Sequence, residues 1–114
     1  MRGLSIFEEV LLEEYERENK RIRTVDEALA ELPNGAVSRK TINGREYIYL
    51  QWREGSAIKS RYVPQNKIEE TLKLIERRNH FREVKKAANR KKKQIEMALG
   101  KELISEYIES EGVL

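Results

Sequence analysis

Residues 42–63 read INGREYIYLQWREGSAIKSRYV, and their pattern decides the fold. Asn43-Gly44 is a two-residue loop whose residues tolerate positive φ, the strongest short hairpin signal. The stretch after it, Arg45–Arg53, alternates with period two and is rich in aromatic and β-branched residues, as a half-buried strand should be. A second turn at Glu54-Gly55-Ser56 leads to Ala57–Val63, which Pro64 terminates. Ala36–Ile42 supplies the strand before the first turn. The expectation is a three-stranded antiparallel sheet over residues 33–64.

The Asn-Gly turn sets the first register: Lys40 opposite Tyr47, Arg39 opposite Ile48, Ser38 opposite Tyr49 and Val37 opposite Leu50. A three-residue second turn would then pair Tyr49 with Arg61, Gln51 with Lys59 and Trp52 with Ile58. One face would carry Val37, Ile48, Leu50, Trp52, Ile58 and Tyr62. The other would carry Ser38, Lys40, Tyr47, Tyr49, Gln51, Arg53, Lys59 and Arg61. A two-residue second turn would place Lys59 and Arg61 among the apolar residues. Burying unpaired cations is costly, so the three-residue turn is expected.

Outside the sheet the pattern is helical. Ser5 with Glu8 forms a capping box, in which hydroxyl and carboxylate each satisfy a free helix N–H. Phe7, Val10, Leu11, Tyr15 and Ile22 follow at helical spacing, with Glu9, Glu13, Glu16, Arg17 and Lys20 on the solvated side. Thr24 with Glu27 repeats the capping signal and suggests a second, short helix before Pro33-Asn34-Gly35. N-terminal helices are therefore expected over residues 1–32. After the sheet, a long charged helix is expected from about Asn66 to Leu99, with Gly100 as its C′ residue. Ile68, Leu72 and Ile75 suit the apolar sheet face. Leu74, Phe81, Ala88 and Ile95 recur every seven residues as a thin seam, suited to helix one or to a homodimer. A short helix over about residues 101–111 completes a single α+β domain.

Composition bounds the chemistry. The chain has 114 residues, 38% of them charged, against the usual roughly 25%. No cysteine is present, which excludes disulfides and thiolate chemistry and fits a cytoplasmic setting. No apolar run is long enough to span a bilayer, and the acidic N-terminal stretch does not resemble a signal peptide. The net charge of +3 conceals strong segregation, because residues 73–93 hold ten basic and two acidic side chains. Residues 1–32 and 94–114 are acidic and are natural intramolecular partners for that block.

Catalysis is not expected. The only histidine, His80, lies among arginines on a basic helix, and the carboxylates sit at salt-bridge spacing on amphipathic helices. There is no metal-ligand cluster, and Gly35, Gly44 and Gly55 are turn residues rather than a phosphate loop. No cofactor is implied. Two features point to a polyanion. Lys40, Tyr47, Tyr49, Gln51, Arg53, Lys59 and Arg61 would form a mixed tyrosine and basic sheet face that reaches phosphates and bases. Lys85, Lys86, Arg90, Lys91, Lys92 and Lys93, with Arg77, Arg78 and Arg82, would add phosphate contacts from the long helix. Trp52 reads as core.

The segment Leu32–Val63, LPNGAVSRKTINGREYIYLQWREGSAIKSRYV, resembles a module of short uncharacterised bacterial proteins, mostly of Gram-positive genomes and their mobile elements. Those carry LPxG, a hairpin ending in a Gln and an Arg-Glu-Gly turn, a basic third strand ending in Tyr, and a long charged helix. Three strands followed by a helix are also distantly similar to the arm-type DNA-binding domain of tyrosine integrases, whose sheet enters the major groove. That similarity implies DNA contacts from Tyr47, Tyr49, Gln51, Arg53, Lys59 and Arg61. The flanking helices depart from the arm-domain pattern. The expected function is a non-enzymatic nucleic-acid-binding module for DNA or RNA. The alternatives are a small interaction factor for an acidic or nucleic-acid-binding protein, such as an antitoxin or phage inhibitor, and a structural coiled-coil dimer.

Overall fold

A computed structural model describes residues 3–111. The chain is α+β: α1 (Ile6–Ala30), β1 (Ala36–Ile42), β2 (Arg45–Glu54), β3 (Ala57–Val63), a 3-10 turn (Gln65–Lys67), α2 (Ile68–Leu99) and α3 (Lys101–Glu111). The three strands form one antiparallel sheet in the order β1-β2-β3. The described residues divide into two compact units. One holds the residues up to Ala28 and from Phe81 onward, and is helical; the other holds Leu29–His80 and contains the sheet.

The Ser5–Glu8 capping box forms: the Ser5 N–H donates to Glu8 Oε1 at 3.0 Å and the Glu8 N–H to Ser5 Oγ at 3.1 Å. The second box, at Thr24, does not open a second helix. Thr24 lies inside one continuous α1, and its hydroxyl donates back to the Lys20 carbonyl at 3.1 Å. A threonine that finds an acceptor one turn earlier no longer competes with the helix. The expected stripe of α1 holds in part: Tyr15 is buried, with Leu11 and Ile22 half-buried. Leu12, Tyr15, Glu18, Asn19 and Val25 are buried, while Phe7 and Val10 are exposed.

In the helical unit, Leu12, Tyr15, Ile95 and Ile104 form the core, with Leu11, Leu99, Tyr107 and Ile108 packed against it. The heptad residues Ala88 and Ile95 are buried here and are thus spent within the chain. Gly100, with φ of 86°, ends α2 by donating its N–H to the Glu96 carbonyl. This left-handed residue is the expected helix stop.

In the sheet unit, Ile48, Leu50, Val63 and Ile75 form the core, joined by Val37, Trp52 and Ile68. The first half of α2 therefore covers one sheet face, as its apolar spacing suggested. The first register is the expected one, with Lys40 opposite Tyr47 and Val37 opposite Leu50. Asn43 (φ 52°) and Gly44 (φ 77°) both take the left-handed conformation that this turn requires.

The second register differs by one residue. Glu54 pairs with Ala57 across a two-residue Gly55-Ser56 loop, so Trp52 faces Lys59, Leu50 faces Arg61 and Tyr49 faces Tyr62. Opposed residues of an antiparallel pair point to the same side. Lys59 and Arg61 therefore share the face of Leu50 and Trp52, while Ile58 and Tyr62 move to the tyrosine face. The physical reason is incomplete cover. Lys59 and Arg61 are exposed although they lie on the packing side, so neither cation pays the desolvation cost of the core. Gly55 takes a φ of 59° while Ser56 does not have a positive φ, which matches a glycine-first hairpin loop.

Candidate nucleic-acid interface

With this register, one sheet face carries Ser38, Lys40, Ile42, Arg45, Tyr47, Tyr49, Gln51, Arg53, Ile58, Ser60 and Tyr62. Both acidic residues of the strands, Glu46 and Glu54, lie on the opposite face. There Glu46 accepts from Arg39 at 2.7 Å and Glu54 from the Trp52 indole at 3.1 Å. The tyrosine face is thus free of carboxylates and holds three cations.

Its aromatic residues pack on one another. The Tyr62 ring lies edge-on to Tyr49 with centroids 5.6 Å apart and is tilted against Tyr47 at 6.2 Å. Lys40 places its ammonium 4.7 Å from the Tyr49 centroid. Such contacts hold the rings in place without burying them. Tyr47, Tyr49 and Gln51 are half-buried, and Lys40 and Arg53 are exposed. Ile42, Ile58 and Tyr62 are 48%, 64% and 46% exposed. A surface with fixed aromatic planes, exposed apolar groups and one sign of charge has the composition of a binding face.

Of the expected sheet residues, the structure brings together Lys40, Tyr47, Tyr49, Gln51 and Arg53. Lys59 and Arg61 are corrected to the other face. Tyr62 joins the site, and so do Arg45, Ile58 and Ser60. Tyr62 was legible only through the second register, because the side of a strand that a residue occupies changes with every one-residue slip.

The basic helix is partly neutralised within its own unit. Lys85 Nζ lies 2.7 Å from Asp26 Oδ1, and Lys91 Nζ lies 2.9 Å from Glu14 Oε1 and 3.5 Å from the fully buried Glu18. Lys92 stands over the Tyr15 ring at 5.3 Å, and Lys86 pairs with Glu83 on the same helix. The acidic face of α1 therefore takes Lys85 and Lys91, as the charge segregation suggested. Arg82, Lys86, Arg90 and Lys93 recur at helical spacing along the exposed side. Lys73 and Arg77, earlier on α2, are exposed as well.

Arg78 is not on that stripe. It is 6% exposed, and its guanidinium Nη1 donates to the carbonyls of Pro33 at 2.9 Å and Gly35 at 2.6 Å. It braces the turn before β1 instead of facing phosphate. Sequence periodicity missed this role, because the acceptors are backbone carbonyls more than forty residues away.

The interhelical contacts shift three acid–base equilibria. The hydrogen bond from Lys91, followed by that from Arg17, holds the Glu14 carboxyl down at about 2, below its ordinary 4.5. The same contact raises Lys91. Burial, aided by the hydrogen bond to Glu96, pushes the Tyr15 hydroxyl up to about 12. A depressed carboxylate stabilises the fold above its unfolded pKa, and that stability is lost as pH falls through the folded value. Thermal melts should therefore show a loss of stability as pH falls from about 4.5 to about 2, and Glu14→Gln should flatten that slope. An unchanged acid slope in Glu14→Gln would remove the pair as its cause.

Among the described residues no cluster of His, Cys, Asp or Glu could hold a metal ion, and no helix is long and apolar enough to cross a membrane. No curated protein and no solved structure matches the chain. Residues 15–73, just over half of the sequence, match the family model described as a domain of unknown function, DUF6788. This stretch takes in the larger part of α1, the whole sheet and the start of α2, and the chain belongs to the DUF6788 family.

Proposed function

We propose that the protein is a non-enzymatic nucleic-acid-binding module that uses the tyrosine face of its sheet. The observation that supports this reading most is the solvent-open face holding Tyr47, Tyr49 and Tyr62, the cations Lys40, Arg45 and Arg53, and no carboxylate. Tyrosine planes stack on bases of any sequence, and the cations neutralise phosphates. The exposed stripe Arg82, Lys86, Arg90 and Lys93 gives the helical unit a phosphate-contacting surface of its own. A bacterial, mobile-element and cytoplasmic setting belongs to the same reading. It is supported by the resemblance of residues 32–63 and by the lack of cysteine.

The test is binding to random-sequence DNA and RNA across a salt series. Three phosphate contacts from the sheet predict a fall in log affinity of about 2 to 3 per decade of salt. Tyr49→Ala/Tyr62→Ala should weaken binding at least about tenfold, since stacking is worth about 1–3 kcal/mol per base. Its circular dichroism should be unchanged. Salt-insensitive binding, or a double variant that binds like the native chain, would defeat the proposal.

A second reading has one observation in its favour. Ile6, Phe7 and Val10 expose an apolar patch on the first turns of α1, at 80%, 65% and 54%. Such a patch suits a protein-interaction factor. Stoichiometric co-purification of one protein, abolished by Phe7→Ser, would favour it.

A further inference from the structure

The displaced second register has a consequence on the covered side of the sheet. Trp52, Leu50 and Arg61 line an open groove of about 260 Å³ together with Pro33 and Asn34. Leu50 forms an apolar floor, 1% exposed. The Trp52 indole is half-buried and oriented by its hydrogen bond to Glu54. Pro33, on one wall, is held by the Arg78 guanidinium. The groove is therefore built from braced elements. Arg61 is exposed, and Lys59 stands opposite Trp52 in the register. Neither cation has a hydrogen-bonding or ion-pair partner among the described residues.

Arg61 also lines a second groove, of about 400 Å³, with Tyr62, Pro64, Lys67 and Glu70, the last paired with Lys67 at 3.5 Å. Arg61 and Tyr62 are consecutive on β3 and point to opposite faces. β3 is an edge strand with no neighbour beyond it. The second groove thus draws its lining from both sides of the sheet at this edge.

We propose that the ligand is single-stranded nucleic acid, which passes over the β3 edge so that one base enters the Trp52 groove while its phosphate meets Arg61. The proposal rests on the nucleic-acid reading of the tyrosine face and names the form of nucleic acid that both faces accept. The chemistry is that of single strands. An unpaired base can leave its neighbours and stack on an indole, and a guanidinium binds the phosphate in a bidentate manner. A duplex keeps its bases paired and stacked, so it offers the groove nothing to hold.

Trp52 is the only tryptophan of the chain, so emission excited at the red edge, where the five tyrosines scarcely absorb, reports on Trp52 alone. The experiment titrates fluorescently labelled oligothymidylate, and a duplex of equal length, into the full chain. Anisotropy of the label and emission of Trp52 are followed together. Oligothymidylate should quench Trp52 with the same midpoint as the anisotropy change. The duplex should bind at least about tenfold more weakly and leave the emission unchanged. Arg61→Gln, which alters an exposed side chain, should lose about tenfold in affinity and most of the quenching, and Arg61→Lys should recover part of both. Oligothymidylate binding without quenching, with Arg61→Gln equal to the native chain, would overturn the groove proposal and leave the tyrosine face standing. Duplex binding as tight as single-strand binding would also overturn it. An absence of binding by anisotropy to either probe would overturn both readings.

Discussion

Replacing Arg78 by methionine is expected to lower the stability of the protein by about 3 kcal/mol, a large share of what a domain of this size has to lose. The guanidinium donates to two backbone carbonyls, Pro33 and Gly35, from a position that is 6% exposed. Its Nε and Nη2 also donate to Asn79 Oδ1, at 3.4 and 3.1 Å. Methionine fills much of the same space but leaves the two carbonyls without this donor. A hydrogen bond to a charged group is worth about 1.5–3 kcal/mol, and the two are not additive because they share one nitrogen. Lysine should recover only part of the loss, since a point charge does not reproduce the planar fork. Urea unfolding of the three proteins measures this directly. An Arg78→Met midpoint equal to the native one would mean that Arg78 is a surface cation after all.

The second large effect is at the centre of the sheet. Leu50→Ala should cost about 2–5 kcal/mol, because Leu50 is 1% exposed and packs with Ile48, Val63 and Ile75. Ile58→Ala, on the same sheet, should change stability by no more than about 0.5 kcal/mol, because Ile58 is 64% exposed. The contrast tests the register. A three-residue turn would carry Ile58 to the packing face beside Trp52, and its truncation would then cost much of what Leu50→Ala costs. Similar losses in the two variants would therefore reject the two-residue Gly55-Ser56 loop.

The turn that Arg78 braces also explains its glycine. Gly35 takes a φ of 105°, and a Cβ there would stand 2.7 Å from the Gln51 backbone oxygen. The neighbour is main chain of the central strand, so it cannot swing aside. Pro33, Asn34 and Gly35 thus form a tight entry to β1, pressed on β2 and held from behind by α2. In the sequence the same residues read only as a turn that ends a helix.

Much of the fold is legible in local chemistry. Asn43-Gly44 specifies one hairpin and its register, since few other dipeptides accept positive φ twice. Ser5 with Glu8 marks the start of α1, and Gly100 marks the end of α2. Each of these signals acts over a few residues and needs no partner elsewhere. Gly55-Ser56 was a signal of the same kind, a glycine-first loop that favours the register the structure adopts. The burial argument for a three-residue turn holds only if the whole apolar face of the sheet is covered.

Local patterns alone carry the α+β order of elements, the β1–β2 register and the separation of charge along the chain. Packing between remote segments decided how far α2 covers the sheet, and with that the place of Lys59 and Arg61. It likewise decided which cations of α2 meet the carboxylates of α1 and which face water, and it turned Arg78 inward. The physical reason is the same each time. The cost of placing a charge depends on what else stands near it, and that neighbour is supplied by residues remote in sequence.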